Sequence, residues 1–275
     1  MLPQRDSILS LLADEDSDSA ALVQNQLAAR GPAVLADLRE LLPAAKGRAE
    51  RRLKEVIVQV AGDEAEQKFG KLCAAFGNDG DIEAAAWTLA EVVAPGEDFD
   101  AQRQQLDELG ATLARRLRGK DTVIQQCGAM SALLGSELGF RGNEDDYYAE
   151  ENSLLPRVID DRRGNPITLC LIYIAVGRRA GLPVQGVGLP GHFVVRMGGV
   201  FLDPFHGGRR LQLEDCQKLL ESQGLELQPH HLLPCKPRVM LARILNNLLH
   251  AAETGDPRLG EKLHGWLQVL QRAAV

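Results

Sequence analysis

The stretch GHFVVRMGGVFLDPF, residues 191–205, decides how the middle of the chain is read. Gly198-Gly199 divides it into two short apolar runs, HFVVRM (192–197) and VFLD (200–203), and a two-residue glycine turn joins such runs as an antiparallel hairpin. That turn sets the register, with Met197 opposite Val200 and Val194 opposite Asp203. Alternation then gives one wholly apolar face, Phe193, Val195, Met197, Val200 and Leu202, and a second face carrying His192, Val194, Arg196, Phe201 and Asp203. On this second face His192 and Asp203 are diagonal neighbours, roughly 7–8 Å apart at the backbone and closer at their side chains. A carboxylate so placed can hold an imidazole Nδ1–H, fix its tautomer and stabilise the imidazolium. The alternative is a solvent-facing strand surface with an incidental His and Asp.

Outward from the hairpin, VQGVGL (184–189) reads as a preceding strand, joined through Pro190-Gly191. Upstream, Asn165 and Pro166 suit a helix N-cap and first helical position. The helix they open, ITLCLIYIAVGRRAG, is apolar almost all round, which predicts burial on several sides, and Gly181 ends it. A thiol at such a helix N-terminus would have its thiolate stabilised by the helix dipole and a facing imidazolium.

Residues 139–166 lose helical periodicity and read as a loop-rich segment with a short helix in its middle. The first half is nearly all helical. Leu22, Leu27 and Ala28 are assigned to one stripe and Leu35, Leu38, Leu41 and Leu42 to another, with Gly31-Pro32 between them, as in a small array of the HEAT type. One helix is expected to run to Val60 and a separate one over 64–76, with further helices over 81–94, 98–118 and 121–138. Trp87 is expected in the core. After Pro204 come LEDCQKLLESQG and two helices joined at Gly255-Asp256-Pro257, a hairpin like one tetratricopeptide unit.

The whole composition bounds the function. With 275 residues, 45% hydrophobic and 25% charged, the chain suits a soluble globular protein with one large domain or two smaller ones. A formal charge of −7 argues against broad binding to nucleic acid or anionic membrane. Arginine pairs such as Arg178-Arg179 read as solvated faces and helix ends. Five cysteines, odd in number and never spaced C-x-x-C, fit neither a disulfide framework nor a zinc site and point to a reducing cytoplasm. The first residues lack a signal-peptide pattern, and no apolar run reaches membrane-spanning length. His206 is expected to be exposed, and His230-His231, His250 and His264 show no ligand spacing, so no metal and no cofactor are expected.

Residues 139–211 closely resemble the bacterial SirB-type branch of the transglutaminase-like superfamily, through GF-GN with Tyr147-Tyr148, ENS at 151–153, RRGNPITL, GLPV-GV, LPGHFVVR and LDPFHGGRRL. The resemblance implies an α+β, mostly helical fold: a papain-type core with an antiparallel sheet over residues 139–212, helical residues 1–138 before it, and helices over 213–275 with the tetratricopeptide-like hairpin. It also implies a Cys-His-Asp site in which His192 is the base and Asp203 the orienter. Counting back from Gly181-Leu182-Pro183, the family's nucleophile falls near Pro166 to Thr168, where this chain has no cysteine. Cys170 is the candidate nucleophile, but its apolar neighbours Leu169, Leu171 and Ile174 equally suit a core cysteine. Thr168 is a lesser candidate. Tyr147, Tyr148, Asn152, Thr168 and Arg196 are expected around the cleft, Asn152 also as a partner for loop backbone and Arg196 as a carboxylate binder or a structural ion pair. Two functions follow: a degenerate, non-catalytic relative that binds a peptide or protein, or a cysteine enzyme of acyl transfer or amide hydrolysis.

Overall fold

A computed structural model describes residues 5–221, 223–253 and 255–272. It comprises two compact units, one of residues 1–71 with 88–97 and one of residues 72–87 with 98–275.

The first unit contains α1 (Arg5–Ala13), α2 (Ser17–Ala28), α3 (Leu35–Leu41) and most of α4 (Gly47–Ala75). Their apolar stripes close on one core that includes Leu12, Leu27, Leu38, Leu53, Val56 and Val60. Two details differ from expectation. The buried stripe of α2 is Ala20, Val23 and Leu27, spaced i, i+3, i+7, and Leu22 is 60% exposed because it lies well round the helix from Leu27. α4 is one unbroken helix rather than two, since an internal glycine such as Gly62 costs only about 1 kcal/mol and does not by itself stop a helix.

The second unit is built round the central helix. After α5 (Ile82–Val93, which it shares with the first unit), α6 (Asp100–Arg116) and α7 (Val123–Ser131) lead into a π-helical turn, Ala132–Glu137. β1 (Arg141–Gly142), α8 (Leu155–Asp161) and β2 (Arg163–Gly164) follow, with β1 and β2 forming a two-residue parallel pair that ties the two ends of the loop-rich segment together. α9 (Pro166–Arg179) opens as the sequence predicts: the Asn165 carboxamide oxygen accepts the Thr168 backbone N–H at 3.0 Å, with proline in the first turn. It packs against α6, α8 and the sheet at once, which is why its apolar residues run all the way round.

Four strands, β3 (Gln185–Leu189), β4 (His192–Met197), β5 (Val200–Asp203) and β6 (Arg209–Leu211), form an antiparallel meander in chain order. Met197 pairs with Val200 and Val195 with Leu202, the register set by the Gly198-Gly199 turn. Neither face of the sheet is left to solvent. Val194 and Phe201, on the His192–Asp203 face, pack with Val187, Leu189 and Leu211 against Cys216 and Leu220 of α10 (Leu213–Glu221). β6 is an added edge strand reached through Gly207 and Gly208, both at positive φ. α11 (Pro237–Ala252) and α12 (Pro257–Arg272) pack against each other, and α11 also packs on α9. The architecture is α+β, mostly helical, with a small antiparallel sheet.

Of the arginines at the end of α9, Arg178 is exposed as expected, whereas Arg179 is partly buried. Both reach Glu83, which is only 5% exposed, with N–O distances of 2.7 and 2.8 Å. Trp87, 3% exposed, is buried as predicted, and its ring lies 4.3 Å beneath the Arg103 guanidinium carbon.

The π-helical turn backs directly onto the segment that follows β5. A Cβ placed on Gly135 would stand 1.8 Å from the Gly207 carbonyl oxygen, a backbone atom that cannot swing aside. Gly135→Ala is therefore expected to cost about 1–3 kcal/mol or more. Urea unfolding followed by tryptophan fluorescence reads this unit selectively, because Trp87 and Trp266 both belong to it. An unchanged midpoint would show that the turn does not bear on Gly207.

Candidate functional site

The site is assembled where β4 begins and β5 ends. Asp203 closes β5, is 0% exposed, and caps the short helical turn Pro204–His206: its Oδ1 accepts the backbone N–H of Phe205 at 3.1 Å and of His206 at 3.4 Å. Those two donors fix the carboxylate plane and aim Oδ2 at two imidazoles. His192 Nε2 lies 3.0 Å from Oδ2 and His206 Nδ1 lies 2.7 Å from it. Burial pushes the Asp203 carboxyl up, but the hydrogen bonds and positive charge offered by His192 and then His206 outweigh it, so the group sits below the usual aspartate value.

Two features depart from the expected triad. The His192 nitrogen on the carboxylate is Nε2, not Nδ1, because spanning a diagonal strand pair takes the far end of the ring. His206 is a second histidine on the same carboxylate rather than a bystander; its side chain is 44% exposed while its Nδ1 is held. The D-x-x-H spacing, an Asp cap with a histidine three residues on, is the signal that could have revealed it.

Cys170 is fully buried, one turn into α9, with its Sγ 3.4 Å from the carbonyl oxygen of Phe193 on β4. Burial, and secondarily the Asp203 charge, pushes this thiol well above its ordinary value. Thr168 is also buried, and its hydroxyl donates to the Asn165 cap at 3.0 Å. The residues of α9 that line the space beside His192 are Pro166 and Ile167.

An open groove of about 450 Å³ runs past His192 and His206, bounded by Tyr147, Tyr148, Pro166 and Gln223. The tyrosines meet edge to face at 5.1 Å, and Tyr147 also touches the Phe205 ring. Asn152 lies beneath them and holds their loop: its Nδ2 donates to the carbonyls of Asp146 and Tyr147 at 2.6 and 3.1 Å, and its Oδ1 accepts from Asn143. Arg196 is at the other end of β4, where it donates to the Leu232 carbonyl at 2.9 Å.

α11, which sequence reasoning did not connect with the site, lines two hollows that adjoin this groove and share Tyr147 with it, one also sharing Pro166 and His192 and the other Tyr148. Arg243, Asn246, Asn247 and His250, spaced i, i+3, i+4, i+7, form a polar stripe along a helix whose other side is core. Arg243 donates to the carbonyls of Leu189 and His192 at 3.2 and 3.1 Å, clamping the β3–β4 turn, and His250 meets Tyr148 at 4.5 Å. The periodicity of that stripe was the available signal.

Among curated proteins the chain is similar to a UPF0162 protein of Xylella fastidiosa, 36% identical over 175 residues covering 58% of this chain and 62% of the relative. A UPF0162 protein of Pseudomonas aeruginosa is 34% identical over 183 residues, 64% of this chain and 66% of the relative. The chain thus spans somewhat under two thirds of the length of these relatives. The human F-box only protein 21 is 29% identical over 137 residues, 46% of this chain and 21% of that protein. No solved structure matches the chain. The profile of the Transglutaminase-like superfamily matches residues 100–246, more than half of the 275, and takes in Tyr147, Cys170, His192, Asp203 and Arg243. On that match the chain belongs to the transglutaminase-like superfamily.

Proposed function

We propose that the chain is a SirB-type member whose groove holds a peptide or protein segment without cutting or transferring it, and that it acts in the cytoplasm as a binding or regulatory module. The state of Cys170 carries this reading. A cysteine nucleophile needs an accessible thiolate of lowered pKa, whereas Cys170 is enclosed, bonded to a backbone carbonyl and pushed the other way. Pro166, which offers no nucleophile, lies beside His192 instead.

The groove and its adjoining hollows retain what recognition needs: aromatic rings and asparagine amides that can pair with peptide groups. The −7 charge disfavours nucleic acid, and no described helix is long and apolar enough to cross a membrane. In this reading the chain is divided into helical residues 1–138, a core of residues 139–212 and residues 213–275 with the α11–α12 hairpin, tetratricopeptide-like in the sense above.

The second reading is a cysteine-dependent acyltransferase or amidase using Cys170, His192 and Asp203. The contact of His192 with a buried carboxylate favours it. It requires α9 and β4 to part so that Cys170 emerges.

Selection of a displayed peptide library on the full chain separates the two. Recovered peptides are expected to lose at least about tenfold in affinity on Asn247→Ala or Tyr148→Ala, each side chain being at least partly exposed and lining a hollow beside the groove, and to bind Cys170→Ala as they bind the wild type. Peptides that ignore both of these substitutions, or that become covalently attached to Cys170, would overturn the proposal.

A further inference from the structure

His192 Nε2, Asp203 Oδ2 and His206 Nδ1 lie within 4.8 Å of one another. The two histidines stand 11 and 3 residues from Asp203 and meet on it when β4 and the turn after β5 come together. Two imidazole nitrogens and one carboxylate oxygen are the donors that borderline divalent ions prefer; magnesium and calcium favour all-oxygen sites.

Three observations make the set more than a hydrogen-bonded trio. Asp203 Oδ1 is already occupied by two backbone N–H groups, so the carboxylate is oriented to ligate through Oδ2 alone, with the supporting shell that metal-bound carboxylates use. The Oδ2–N separations of 3.0 and 2.7 Å approach the roughly 3.3 Å between ligand atoms each about 2.0–2.1 Å from one tetrahedral ion. The side chain that must adjust, His206, is the exposed member. The fourth position would face the groove, since His192 and His206 both line it.

We propose that His192, Asp203 and His206 form a binding site for a divalent transition-metal ion of the zinc class, with one coordination position open to the groove. The site does not depend on whether the groove also holds a peptide.

The test is a titration of the chelator-stripped full chain with ZnCl2 in competition with a chromophoric chelator, with CoCl2 in parallel, whose visible spectrum reports coordination geometry. His206→Gln keeps a hydrogen-bonding group near Asp203 and tests ligation; His206→Ala removes both. Two controls address other zinc-binding groups: His230→Ala with His231→Ala, whose rings are 4.1 Å apart, and Cys235→Ser, which removes the one thiol that is not buried. One Zn2+ per chain is expected, unchanged in the controls and weakened about 100-fold or more in both His206 variants, because losing a ligand should cost at least as much as losing its supporting shell. Zinc binding that survives both His206 variants, that disappears in a control, or that is absent from the wild type would overturn the proposal.

Discussion

Asp203→Ala is expected to destabilise the second unit by about 3–5 kcal/mol, the range found when one partner is removed from a buried charged network. The carboxylate accepts from His192, from His206 and from the backbone N–H groups of Phe205 and His206, and its side chain has no exposed surface. Alanine leaves those four donors without their acceptor, two of them at a helical turn that needs its cap. The pH dependence has a definite sign. Asp203 is held below its unfolded value of about 3.9, so its contribution is fully present above that value and is lost as pH falls through the folded value. The gap in unfolding free energy between wild type and Asp203→Ala should hold from pH 7 to about pH 5 and narrow below about pH 4. A gap that widened on acidification would mean that Asp203 is protonated in the folded protein.

The second large effect lies away from the groove. Glu83→Ala should cost about 3 kcal/mol, near the lower end for breaking a buried ion pair because Arg178 is half exposed. Glu83 receives both N–H groups of the Arg179 fork, at 2.8 Å each, and one N–H of Arg178 at 2.7 Å. Arg179 is raised above its ordinary value, first by Glu83 and also by Asp107, and its stem lies on Gly110 of α6, where a Cβ would fall 2.3 Å from the arginine Cβ. Asp107→Ala, which removes an exposed partner, should cost under about 1 kcal/mol. Tryptophan-monitored unfolding of both variants decides this: equal effects would mean that Glu83 contributes no more than a surface pair.

Much of this architecture was readable because local chemistry and tertiary contacts agree. Gly198-Gly199 read as a two-residue turn gives the register observed, which makes one strand face wholly apolar and puts His192 on the face of Asp203; a three-residue loop would have put them on opposite faces. Asn165-Pro166 is a helix start on local grounds, and the helix begins there. What was not readable depends on partners distant in sequence. The His192 face is covered because α10 folds over Val194 and Phe201, which alternation within the hairpin cannot reveal. Glu83 and the α9 arginines are some 95 residues apart, so Arg178-Arg179 looked like an ordinary helix end. His206 follows the hairpin in an exposed turn, and only the Asx cap at Asp203 swings its ring onto the shared carboxylate. The α11 stripe is periodic, yet nothing within that helix says that it lies beside the tyrosines.

The proposed binding groove without an active nucleophile is tested most directly by the alkylation rate of Cys170. Iodoacetamide modification is followed by peptide mass spectrometry from pH 5 to 9 on the wild type and His192→Ala, with the partly exposed Cys235 as the internal reference. Cys170 should remain unmodified in the folded protein at every pH and react only on unfolding, with His192→Ala making no difference. Rapid modification of folded Cys170, with an apparent pKa well under the ordinary thiol value of about 8.5 and abolished by His192→Ala, would contradict the account and establish a working Cys-His pair.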